Sequence, residues 1–75
     1  MILTAEQKNA LNNGETLILR NSADCEGDLF ALWLGKWGHF NLEKNAKIVK
    51  STKTLKPILT KLKSERVLTE LTEIN

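Results

Sequence analysis

The chain has no tyrosine, one cysteine, one proline and one histidine among its 75 residues. The lone Cys25 excludes an internal disulfide, and a single thiol is expected in a reducing compartment. Structural zinc normally takes four Cys or His ligands, and only Cys25 and His39 are on offer. No run approaches the ~18 apolar residues of a membrane span. Met1 to Gly14 has neither the basic start nor the apolar core of a signal peptide. The expectation is a cytoplasmic protein with no membrane association. From residue 44 to residue 63 there is also no acidic side chain.

Catalytic constellations are equally scarce. Cys25 lies between Asp24 and Glu26, whose charges favour the inert protonated thiol. His39 has no evident titratable neighbour to complete an acid–base pair. Gly35-Lys36-Trp37-Gly38 lacks the strand–loop–helix setting of a phosphate cradle. Asp24 to Asp28 has acids at alternate positions, as calcium loops do, but not the rest of the ligand pattern. The expectation is a non-enzymatic protein with no catalytic residue, metal, cofactor or small-molecule substrate.

Seventy-five residues bound the chain to one small domain, 1–75. A domain near this size buries only about 60–65% of the surface its unfolded chain exposes, so self-association is a common support. The net charge of +2 conceals a segregation. Residues 1–43 carry three basic and six acidic side chains, whereas residues 44–63 carry seven lysines. Nine lysines against two arginines, with seven asparagines, hint at an AT-rich bacterial or phage genome.

What the chain does have is an aromatic cluster. Phe30, Trp33, Trp37 and Phe40 are all of its aromatics and fall within eleven positions, with His39 among them.

Thr4-Ala5-Glu6-Gln7 is a capping-box pattern that opens a helix over 4–12, closed by Asn12-Asn13-Gly14. Thr16–Asn21 and Leu29–Leu34 are β-prone runs joined by a polar loop, a hairpin pattern. In the second run Phe30, Leu32 and Leu34 share one face. Leu29, Ala31, Trp33 and, if the strand continues, Trp37 share the other. Both faces are apolar, so this should be a central, doubly covered strand. Gly35 and Gly38 permit a bulge or turn. Asn41 to Asn45 is turn-like, and Ala46–Lys50 is a third strand whose lysines suit an edge. Ser51 or Thr52 then caps an amphipathic helix beginning near 54–56, with Leu55, Ile58, Leu59 and Leu62 on one face. Pro57 fits its first turn. Val67 to Ile74 follows a different helical phase, so the helix should break near Ser64–Arg66 before a separate helix or strand.

The stretch Ser51 to Leu62, with Val67 to Ile74 as a wing strand, resembles the recognition-helix region of winged helix-turn-helix regulators. The basic strand, capped turn and helix also resemble the arm-type DNA-binding domains of phage integrases. Upstream of residue 43 the chain departs from the first pattern, reading as a hairpin rather than two helices. The resemblances imply DNA contact but assign no family.

The expected fold is α+β: a short N-terminal helix, a three-stranded antiparallel sheet, an amphipathic helix on one face and an open C-terminal segment. The tryptophan face then needs cover, from the N-terminal helix, the tail or a second copy. The expected function is protein interaction or self-association, as in a phage or bacterial accessory or inhibitor protein, through Trp33, Trp37, His39 and Phe40. Tryptophan suits the centre of an interface. The alternative is nucleic-acid binding through Lys44, Lys47, Lys50, Lys53 and Lys56.

Overall fold

The computed structural model describes residues 3–21 and 27–74, and of residues 68–71 the strand path alone. The elements run α1 (Ala5–Asn12), β1 (Leu17–Arg20), β2 (Leu29–Leu34), β3 (Phe40–Lys44), β4 (Lys47–Thr52), α2 (Leu55–Ser64) and β5 (Leu68–Ile74). The class is α+β, with a five-stranded antiparallel sheet in the order β4-β3-β2-β1-β5. Three strands is therefore an undercount. Residues 41–45, turn-like in composition, belong mostly to β3, and the turn proper is Asn45-Ala46. The C-terminal segment is a strand that pairs with β1 at the far edge.

The helix termini follow from local chemistry. Thr4 accepts a hydrogen bond from Gln7 N–H, and Gln7 Oε1 accepts from Thr4 N–H, completing the capping box. Gly14, at φ +85°, ends α1 where a side chain would be strained. The N-cap of α2 is Thr54, not Ser51 or Thr52, which stay in β4. At its other end Arg66 takes φ +58°, and the N–H of Val67 reaches back to the Leu62 carbonyl at 3.2 Å. That left-handed residue forms the break expected near 64–66 and turns the chain into β5.

Strand alternation sorts the sheet into two faces. Leu17 and Leu19 of β1, Phe30 and Leu32 of β2 and Leu42 of β3 are buried together with Leu3, Ala10 and Leu11 from the α1 end and Ile58 and Leu62 from α2. Phe40, Leu55, Leu59 and Val67 pack around this cluster. Both helices thus contribute to one core on one face. Strand β2 is central, as expected, but among the described residues no helix covers its other face.

Candidate functional site

The uncovered face is built row by row from the strand register. One row runs Ile48, Glu43, Ala31, Ile18 and Glu73 across all five strands. The next joins Ser51, Asn41 and Trp33, and on the other side Leu29 pairs with Arg20. A register shift between Leu42 and Glu43 makes a bulge in the β3–β4 ladder, leaving Val49 without a cross-strand partner. Ile48 is 59% exposed and Val49 43%, large values for β-branched apolar side chains. Three hydrogen bonds fix the face. The Trp33 indole N–H donates to Glu43 Oε2 at 2.6 Å, which holds the ring across the sheet. Ser51 Oγ donates to Asn41 Oδ1 at 2.8 Å, and Asn41 Nδ2 donates to the His39 carbonyl at 3.1 Å.

At one end of this face the β2–β3 turn closes tightly. Gly35 N–H donates to the His39 carbonyl at 2.8 Å and Gly38 N–H to the Gly35 carbonyl at 3.0 Å. Gly38 sits at φ +83°, the left-handed residue that three-residue hairpin loops require. Gly35 is tight for a different reason: a Cβ there would lie 3.0 Å from Asn41 Nδ2, which would have to give way by a few tenths of an ångström. Between Trp33 and this turn lies an open depression of about 560 Å3, lined by Trp33, Trp37, His39, Asn41, Ser51 and Lys36 among others. Trp37 is 81% exposed, with Lys36 Nζ 5.5 Å from its ring centroid.

The four candidate contact residues are thus divided. Trp33 lies on the open face, Trp37 and His39 at the turn, and Phe40 on the helix-covered face against the core. Trp37 does not share a strand face with Trp33, because β2 ends at Leu34. The five lysines are also separated. Lys44 donates to Glu65 Oε2 at 3.0 Å and stands 3.6 Å from Asp28 Oδ2. Lys47 and Lys50 pair with Lys44 and Leu42, which places them on the helix side of the β4 edge. Lys53 and Lys56 lie at the opposite end, beside the start of α2.

Around Lys44 the charges are mutually satisfied. The Lys44 hydrogen bond, followed by that of Lys61, holds the Glu65 carboxyl below its ordinary range. Asp28 is held low first by the Asn45 amide. Lys44 is raised, mainly by its bond to Glu65. This network ties β2, β3 and α2 together and leaves Lys44 little capacity for an outside phosphate.

Cys25 lies outside the described residues. Among the described residues, no three His, Cys, Asp or Glu side chains converge as metal ligands, and no helix is long and apolar enough to cross a membrane. Asn41 and Ser51 escape a reading of the sequence because β3 is hidden behind turn-like residues. Ile18 and Ile48 escape it because strand order cannot be read from local pattern. Comparison of the chain with family models, curated proteins and solved structures finds no match.

Proposed function

We infer that the protein is a non-enzymatic interaction module that binds a partner protein through the sheet face opposite its helices. The observation that carries this is the packing of both helices on one face, which leaves Ile48, Val49 and Leu29 exposed and Trp33 half-buried on the other. Trp33 is the anchor, since its indole is already oriented by Glu43 and loses little freedom on binding. Phe40, serving the core, is not a contact in this arrangement.

Size constrains the partner. Five strands about 4.8 Å apart and roughly five residues long present a plane of about 400 Å2. A standard interface covers about 800 Å2 on each side. Accessible area exceeds the projected plane, so a partner that covers the face and the bulged β4 edge, where Ile48 and Val49 stand out, approaches that size.

Site-specific photocrosslinking in the source cell tests the surface. A benzophenone side chain at Ile48 should yield a discrete adduct, and one at Lys8 on α1 should not. Equal adducts at both positions, or none at Ile48, would remove the basis for a sheet-face interface.

A further inference from the structure

A second surface lies at the end of the sheet, beside the depression that Trp33 shares with the β2–β3 turn. The β2–β3 turn, the end of β4 and the start of α2 meet there, because Phe40 pairs with Thr52 and α2 begins at Leu55. The β3–β4 ladder ends at Phe40–Thr52, so Lys53 follows directly at this end, and Lys56 stands in the first turn of α2. Lys36, Trp37, Lys53 and Lys56 are all exposed, and segments 35–39 and 51–58 contain no acid to neutralise them.

The backbone groups that close the turn are already committed. Gly35 N–H, the carbonyls of Gly35 and His39, and Gly38 N–H bond within the turn. What this end offers a ligand is an aromatic ring and ammonium groups. An acidic peptide would match the charge but would leave the exposed Trp37 ring without a stacking partner. A nucleotide strand asks for a ring to stack on and cations for its phosphates.

We propose that this end of the sheet binds single-stranded nucleic acid, with Trp37 stacking on a base and Lys36, Lys53 and Lys56 meeting phosphates. Arg20 and Arg66 both lie toward the opposite end, so no arginine is positioned to read base edges. Binding should therefore show little sequence preference.

The test is a fluorescence titration of the full chain with an oligodeoxythymidylate of about twelve nucleotides. Tryptophan emission should be quenched. Affinity should fall with salt, with a log–log slope of about −2 for three phosphate contacts. Trp37→Ala should weaken binding by roughly 5- to 150-fold with an unchanged circular dichroism spectrum, the range expected for one lost stack. Lys36→Glu, on the same exposed turn, gives a second variant and should weaken binding and flatten the salt slope. Absence of quenching at low salt would overturn the proposal. So would a Trp37→Ala protein that binds as tightly as the parent. Displacement of the oligonucleotide by poly-L-glutamate at equal charge would assign this end to acidic chains instead.

Discussion

At the scale of single residues, the strained positions make the sharpest predictions. Asn45 and Ala46 turn β3 into β4 at φ +51° and +70°. Asparagine tolerates that conformation, and its side chain also accepts from Leu29 N–H at 3.0 Å and donates to Asp28 at 3.0 Å. Alanine has no such compensation, and the left-handed region costs a residue with a Cβ roughly 1–2 kcal/mol. Ala46→Gly should therefore stabilise the fold by about 1 kcal/mol in urea unfolding. Asn45→Gly, which removes two hydrogen bonds, should destabilise it. Charge gives a second prediction. Because the folded state depresses the Glu65 carboxyl, its ion pairs contribute fully above the ordinary value of 4.5 and are lost as pH falls through the depressed one. The raised Lys44 works in the opposite sense, contributing below 10.5 and losing that contribution as pH rises through its folded value. Glu65→Gln should flatten the acid limb of a stability–pH profile. An unchanged limb would show that other carboxylates control it.

At the scale of elements, legibility tracked how local the cause is. The Thr4–Gln7 capping box and Gly14 act within a few residues, and α1 emerged where they place it. The alternation in Leu29–Leu34 also survived, since Phe30 and Leu32 are buried and Ala31 and Trp33 lie on the other face. Strand β3 did not announce itself. Its Asn41 is buried with its amide satisfied by the local His39 carbonyl and by Ser51 of the neighbouring strand, a partner that only strand pairing supplies. The tail could not be assigned for the same reason: β5 is a strand because β1 lies beside it. Helix α2 retains an unused opportunity. Thr54 makes no side-chain capping bond, and the first turn has no acid. Thr54→Asp should stabilise the protein by about 0.5–1 kcal/mol in thermal or urea unfolding. The same change adds negative charge at the lysine-bearing end and should weaken oligonucleotide binding.

At the scale of the whole molecule, the sequence already demanded that something cover the tryptophan face. The fold removes both internal candidates, since α1 joins α2 on the core side and the C-terminal segment extends the sheet's edge. The two apolar populations should respond differently to substitution. Leu62→Ala, in the fully buried core, should cost about 2–5 kcal/mol. Ile48→Ser, on the bare face, should stay within about 0.5 kcal/mol. The most direct measurement is methyl NMR of the dilute protein with a soluble paramagnetic agent. A bare sheet face predicts strong relaxation of the Ile48 methyls, intermediate relaxation at half-buried Ile18 and little effect at Ile58. Protection of Ile48 and Ile18 equal to that of Ile58, in a sample shown to be monomeric, would mean the face is covered by the chain itself and would contradict its role as a binding surface.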